Sequence, residues 1–156
     1  MPPRTSNGMF LTITVAPTKV DPNYADPKIR QAISMAIDRD TIIKQIFNGT
    51  RVPATGWVSP VVDGYKAEQC GEYCKYDPAK AKALLDMYGY VDCNGDGWRD
   101  LPRANGAGEC KPFTVEYASA PGAQQKPLDE NWKKNMDAIG INLTFKKAKW
   151  PDLLKE

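Results

Sequence analysis

The 156-residue sequence contains no histidine. Without histidine the chain cannot build a Ser-His-Asp triad, a Cys-His pair or an HExxH zinc site. It also has no GxGxxG or Walker-type loop that could cradle a phosphate, so we predict no cofactor. Its carboxylates are scattered, and most fall at helix caps or on polar helix faces, which favours solvated or capping roles over a catalytic pair. The sequence therefore predicts a protein that is not an enzyme.

Long hydrophobic runs and blocks of like charge are missing as well. The chain carries 21 Lys and Arg against 19 Asp and Glu, for a net charge of +2. This balance argues against a nucleic-acid partner or an anionic membrane surface. Residues 1–8 lack the apolar core of a signal peptide, and we interpret them as a polar lead-in. The remaining residues, 9–156, are expected to form a single α/β domain.

Two consecutive amphipathic helices are predicted between residues 26 and 49. Asp26 suits the N-cap and Pro27 the first helical position of the first helix. Asp38 can cap the second helix, and Gly49 is a suitable left-handed end. The predicted apolar faces are Ile29, Ala32, Ile33, Ala36 and Ile37 in the first helix, and Ile42, Ile43, Ile46 and Phe47 in the second.

The rest of the chain alternates between strands and helices. Apolar and polar residues alternate over residues 11–15, 113–117 and 141–145, which predicts three strands. Further helices are predicted near residues 78–88, capped by Asp77, and near residues 128–139. Since residues 113–145 form a strand–helix–strand unit, a parallel right-handed crossover is favoured. The expected fold class is α/β, with helices packed on a small mixed sheet.

Three ordered segments carry a family resemblance. They are DPKIRQAISMAIDRDTIIKQIFNG, the loop VPATGWVSP and YDPAKAKALLDMYGY. Together they resemble the extracytoplasmic solute-binding proteins of ABC transporters, in the dipeptide/oligopeptide/nickel-binding family. The resemblance runs from about residue 26 to residue 150. It implies the second lobe of a two-lobed periplasmic protein, and hence a longer exported parent whose first lobe is missing here.

The resemblance also implies a function. Family members close like a clamp on a ligand and present it to a membrane permease, so that ligand binding is linked to hinge motion. We predict peptide uptake, while nickel chelates, sugars and opines remain open as ligands. By position in the family, the expected ligand-binding residues are Ser119 and Gln124 after one strand, Trp150 after the next, and Arg51 and Trp57 in the loop 51–60.

Four cysteines accompany these motifs. A four-thiolate zinc site is conceivable, but the spacing is not that of paired C-x-x-C knuckles. For an exported protein, disulfides are the better interpretation. Three pairings are possible, and we favour Cys70–Cys74 with Cys93–Cys110 because each closes a local loop.

The run DCNGDGWRD, residues 92–100, resembles the start of a calcium loop. Asp92, Asn94 and Asp96 occupy its first, third and fifth positions, and Gly97 supplies the turn. Arg103 stands where the final bidentate carboxylate belongs, which favours a plain Gly/Asp turn leading into a hairpin-like excursion. The alternative function is thus an extracellular interaction module stabilised by metal or disulfides. An enzyme fragment has no positive support.

Overall fold

The computed structural model describes residues 26–56, 58 and 60–153. The lead-in 1–8, the predicted strand 11–15 and Trp57 lie outside these described residues. Helix α1 spans Pro27–Ala36, and α2 is the single turn Arg39–Thr41, followed by a π-helical turn, Ile42–Ile46. Helix α3 spans Pro78–Met87, strand β1 Thr114–Ser119, helix α4 Gln125–Asp137, strand β2 Asn142–Lys147 and helix α5 Trp150–Leu153. Short 3₁₀ turns occupy Gly71–Cys74 and Ala104–Gly106.

Capping aspartates start the first helices as predicted. The Asp26 carboxylate accepts a hydrogen bond from the Lys28 amide at 2.8 Å. Asp38 likewise accepts from the Thr41 amide at 3.0 Å. The Asp77 carboxylate accepts from the Lys80 amide at 2.8 Å and so caps α3. Each side chain satisfies an amide that has no partner within its helix.

The second helix differs from its prediction. Only one α-helical turn forms before the backbone widens into the π-helical turn, where the Phe47 amide donates to the Ile42 carbonyl at 3.3 Å. The apolar residues of this segment are partly buried, and Ile42 packs against the core, so the predicted apolar stripe does face the protein. Gly49 ends the segment at a φ of 69°, as predicted.

Within the described residues, strands β1 and β2 form a two-stranded parallel sheet joined through α4, which confirms the parallel pairing of the predicted crossover. The register pairs Val115 with Leu143 and Ser119 with Lys147. The 92–112 segment forms the hairpin-like excursion, with an antiparallel bridge between Asp100 and Pro112.

One apolar core joins the helices to the sheet. Helix α1 packs against α3, and α4 packs against β2. The predicted apolar face of α1 is buried, together with Met35, which the helical pattern missed. The cluster consists of Ile29, Ala32, Ile33, Met35, Ala36, Ile37, Ala81, Leu85, Tyr90, Phe113, Val115, Met136, Ile139, Ile141 and Leu143. No helix in the described part of the chain has the length and apolar character needed to span a bilayer.

Candidate functional site

The carboxyl ends of β1 and β2 lie at one edge of the sheet because the strands are parallel. Ser119 is the last residue of β1 and Lys147 the last residue of β2. The loop 120–124, which is exposed from Pro121 onward, leaves this edge toward α4, and α5 begins three residues after Lys147. In α/β sheets, ligands commonly bind just outside the carboxyl ends of the strands. We therefore consider this edge the candidate site.

Ser119 is a buried strand residue, whereas the sequence suggested a loop position. The residue is only 2% exposed, and its hydroxyl donates to Oδ2 of Asp129 at 2.8 Å. Its carbonyl accepts from the Ala148 amide at 3.3 Å, which ties the two strand ends together. In the described fold Ser119 thus supports the edge from inside, and its expected contact with a ligand stays a prediction.

Asp129 is the buried carboxylate of the site. Located in the second turn of α4 and 4% exposed, it accepts hydrogen bonds on both oxygens. Besides Ser119, its partners are Nε2 of Gln125 at 2.9 Å and Nζ of Lys147 at 3.3 Å. Three donors offset the cost of burying the negative charge. The cluster formed by Ser119, Gln125, Asp129 and Lys147, hereafter the edge cluster, fastens both strands to α4.

An open groove of about 510 Å³ runs from the edge cluster along α4 and β2. Its lining carries four lysines and three acids, with Phe145 as the apolar member: Lys126, Asp129, Glu130, Lys133, Lys134, Asp137, Phe145 and Lys147. Lys133 pairs with Asp137 at 2.9 Å, while the Lys126–Glu130 pair is exposed and 4.0 Å long. The groove is therefore polar, with a small excess of positive charge.

Aromatic rings from β1, α4 and β2 pack against one another between the groove and the core. The Tyr117 ring stacks on Trp132 at a centroid distance of 5.6 Å and meets Phe145 edge-on at 5.9 Å. Burial raises the pKa of the Tyr117 phenol, and the nearby Asp129 carboxylate adds to that rise. Tyr117 therefore stays neutral in the physiological range and acts through packing.

The other residues expected to bind ligand fall in different places. Gln124 is exposed and immediately precedes α4, without a side-chain cap bond. Trp150 starts α5 at the same sheet edge, but its side chain lies outside what the structure describes. The guanidinium of Arg51 lies 5.5 Å from the Phe47 ring centroid, after the π-helical turn. The structure thus brings Ser119, Gln124 and the start of α5 to one edge and places Arg51 on a separate loop.

The calcium-like loop is held by its own hydrogen bonds. The Asp92 carboxylate accepts from the amides of Gly95 at 2.7 Å and Gly97 at 2.8 Å. The Asp96 carboxylate accepts from the Trp98 amide at 2.8 Å, and the Asn94 side chain accepts from the Asp96 amide at 3.0 Å. The Gly97 amide, helped by the other loop amides, lowers the pKa of Asp92. These hydrogen bonds give the two aspartates a role in stabilising the turn, and that role needs no metal.

The cysteines form the two favoured disulfides, Cys70–Cys74 and Cys93–Cys110. Asp100 is buried beside the second bridge, and its carboxylate accepts from the Cys93 amide at 3.0 Å. The ligand atoms of Cys93, Asp100 and Cys110 lie within 4.8 Å of one another. Because both sulfurs are bonded to each other, they are not available as thiolates, so the conceivable zinc site is not formed.

Asp129 and Lys147 were missed by the sequence-based predictions. Asp129 lies seven residues before Met136 and three before Trp132, so helical spacing places it on the same face of α4 as these apolar residues. A carboxylate at such a position is a usable signal, since buried charges require partners. Lys147 gave no local signal, because its role follows from the parallel register with Ser119.

Sequence and structure comparisons place this α/β architecture among bacterial solute-binding proteins. The family model for bacterial extracellular solute-binding proteins, family 5 (middle), matches residues 3–156. The chain belongs to this solute-binding family, as the resemblance predicted.

Named relatives show how much of a family member the chain represents. The dipeptide-binding protein of Escherichia coli K12 is 42% identical over 137 residues, covering 83% of this chain and 21% of the relative. The oligopeptide-binding protein AppA of Bacillus subtilis is 35% identical over 134 residues, covering 85% of this chain and 23% of the relative. A glutathione-binding protein, GsiB of Salmonella typhimurium, is 41% identical over 69 residues, covering 44% of this chain and 13% of the relative. The chain thus spans less than a quarter of these curated relatives.

Solved structures give the same result for the fold. AppA from Bacillus subtilis in complex with a nonapeptide superposes with a TM-score of 0.74 at 26% identity, covering 86% of this chain and 26% of that one. A periplasmic oligopeptide-binding protein from Thermotoga maritima, bound to mannohexaose, gives a TM-score of 0.67 at 27% identity, covering 83% and 24%. The predicted α/β fold class is confirmed, and these structural neighbours are periplasmic binding proteins.

Proposed function

We propose that the chain forms one wall of a peptide-binding cleft in an ABC-transporter solute-binding protein. The observation that carries this proposal is the shared carboxyl edge of β1 and β2, where the edge cluster and the exposed loop 120–124 converge. The dipeptide- and oligopeptide-binding relatives favour peptides over sugars as ligands. The nonapeptide complex of AppA adds structural support for the same choice.

The partners follow from the mechanism of a two-lobed clamp. A second lobe of the same protein would supply the opposite wall, since the chain covers 21% to 23% of the two peptide-binding relatives. Ligand contacts with both lobes would favour the closed state, and a membrane permease would recognise that state. The setting is extracytoplasmic, in the periplasm. The cleft needs no catalytic group and no cofactor.

The site to be tested consists of Ser119, Gln124, the loop between them and the first residues of α5. A single wall binds weakly because opposing contacts and full burial are absent. A method sensitive to millimolar affinity is therefore required.

The test is an NMR titration of the ¹⁵N-labelled chain with trialanine and, separately, with mannohexaose. We expect trialanine to shift the amide signals of residues 119–125 and 147–150 in a saturable manner. Mannohexaose should leave them unchanged at the same concentration. Shifts caused by mannohexaose instead of trialanine, or no saturable shift at this edge, would contradict the proposal.

The calcium-like loop does not motivate a second function. Its aspartates are occupied by backbone amides, and Arg103 holds the position of the final ligand. The metal-stabilised interaction module is therefore the weaker candidate.

A further inference from the structure

Asp129 and Lys147 form an ion pair whose two members are in very different surroundings. Asp129 has a side chain 5% exposed, while the side chain of Lys147 is 55% exposed. Three donors already occupy the two carboxylate oxygens of Asp129. An ammonium group has three N–H donors, and Asp129 takes one of those of Lys147. Each oxygen of Asp129 already has a partner, whereas Lys147, whose ammonium also lies 5.7 Å from the Phe145 ring centroid, keeps 55% of its side chain exposed.

Lys147 also has a suitable position. Its register partner is Ser119, and it precedes the start of α5 by three residues. It therefore lies between the two segments that are expected to contact a ligand. The contact with Asp129 restrains a side chain that would otherwise be flexible, so less conformational entropy is lost when a ligand binds.

The charge of the surroundings favours an anion over a cation at this point. Glu130 is exposed and pairs loosely with Lys126, and Asp137 is engaged by Lys133. Lysines outnumber acids along the groove. The first-turn amides of α4 do not supply the donors, because Gln125 and Lys126 both donate to the Gly122 carbonyl. The exposed side chain of Lys147 offers N–H donors at this edge.

We propose that Lys147, positioned by the buried Asp129, receives the carboxylate of the bound peptide. The inference rests on the proposed function and adds to it a requirement for a free carboxylate. The chemical class is a short peptide with an ionised C-terminus. Asp129 is a positioning residue, since the ligand contact is made by the lysine.

The experiment compares trialanine with its C-terminal amide, which keeps the ammonium and both peptide bonds but lacks the carboxylate. Dissociation constants come from NMR titration of the unaltered chain and of Lys147→Met, Lys147→Arg and Lys80→Met. Lys80 is the matched control, because it also pairs with an acid, Glu72, but belongs to α3. A thermal melt of each variant establishes that it is folded.

We expect the unaltered chain to bind the free peptide about tenfold more tightly than the amide, as a net gain from one charge-assisted hydrogen bond. Lys147→Met should abolish this preference, because binding of the free peptide becomes weaker while binding of the amide stays unchanged. Lys147→Arg should retain most of the preference, and Lys80→Met all of it. Added salt should reduce the preference in the unaltered chain.

The outcomes separate the two proposals. If the unaltered chain binds neither peptide, the proposed peptide function is contradicted, and the carboxylate site with it. If it binds both equally, or if Lys147→Met weakens both by the same factor, only the carboxylate assignment is overturned. If Lys147→Met proves unfolded, the decision rests on the preference retained or lost in Lys147→Arg and on the salt dependence of the unaltered chain.

Discussion

The guanidinium of Arg99 donates through Nε to the carbonyl of Ile139 at 2.7 Å, across forty residues of sequence. The same side chain donates to the Tyr90 carbonyl and forms an ion pair with Asp86 at 2.5 Å. Arg99 thus joins the region just after α3 to the region just after α4, where helix carbonyls lack partners. It connects the 92–112 excursion to the C-terminal ends of α3 and α4.

We predict that Arg99→Lys destabilises the chain by about 2–3 kcal/mol. A lysine cannot reproduce the planar fork of donors, so a buried carbonyl is left unsatisfied. Urea unfolding monitored by circular dichroism measures the change. Arg103→Lys is the control, since Arg103 makes a single exposed bond of 3.4 Å to Gly108. Equal stability losses in the two variants would contradict the structural role of Arg99.

The hydroxyl of Ser119 should matter for stability independently of any ligand. Ser119→Ala removes one of three donors to the buried Asp129. We expect a loss of about 1–2 kcal/mol, because a buried carboxylate loses a charge-assisted hydrogen bond. Thr50→Ala, which removes an exposed hydroxyl bond to Phe47, should cost less than about 0.5 kcal/mol. Chemical denaturation of both variants checks the difference, and a neutral Ser119→Ala would show that the bond is dispensable.

The two disulfides should contribute unequally. Cys93–Cys110 closes a sequence separation of 17, and Cys70–Cys74 a separation of 4. In the loop-entropy model, replacing the longer bridge by two serines costs about 3 kcal/mol, and replacing the shorter one about 2 kcal/mol. Melting of the two double-serine variants tests this order. The reverse order would indicate that loop length does not control the effect.

Acid should weaken the fold through Asp92. Its pKa is lowered in the folded chain, chiefly by the Gly97 amide, so its contribution is present above the unfolded pKa of about 4. The contribution is lost as the pH falls through the lower folded value. Asp92→Asn should therefore be less stable than the unaltered chain at pH 7 and similar to it near pH 2. A stability difference that does not change with pH would contradict this sign.

Chelation should leave the melting temperature unchanged. The loop oxygens of Asp92 and Asp96 already accept backbone amides, and Arg103 opposes a cation at the last position. Differential scanning calorimetry with calcium and with a chelator provides the comparison. A rise in melting temperature with calcium that Asp92→Asn abolishes would restore the metal-stabilised alternative.

Local signals in the sequence predicted much of the scaffold. The capping roles of Asp26, Asp38 and Asp77 depend on neighbours two or three residues away, and all three were confirmed. The two strands and their parallel crossover followed from alternation and connection length. The disulfide pairs could be predicted because both bridges close local loops, and both pairs were confirmed.

Interactions between distant segments were not predicted. The contact of Arg99 with Ile139 and that of Asp129 with Lys147 join residues 40 and 18 positions apart, which no helical or strand period encodes. The second helix was predicted as a regular α-helix, but it continues from Ile42 to Ile46 as a π-helical turn, a change that an apolar stripe does not signal. Ser119 was expected in a loop since the end of β1 cannot be placed to the residue from alternation alone.

The loop 120–124 is exposed, whereas the strand register is set inside the core by Val115 and Leu143. Substitutions, and even short insertions, between Ser119 and α4 can therefore change the surface beyond this sheet edge without shifting the strands. A segment of this kind can vary in length and composition while the strands and helices around it keep one common framework.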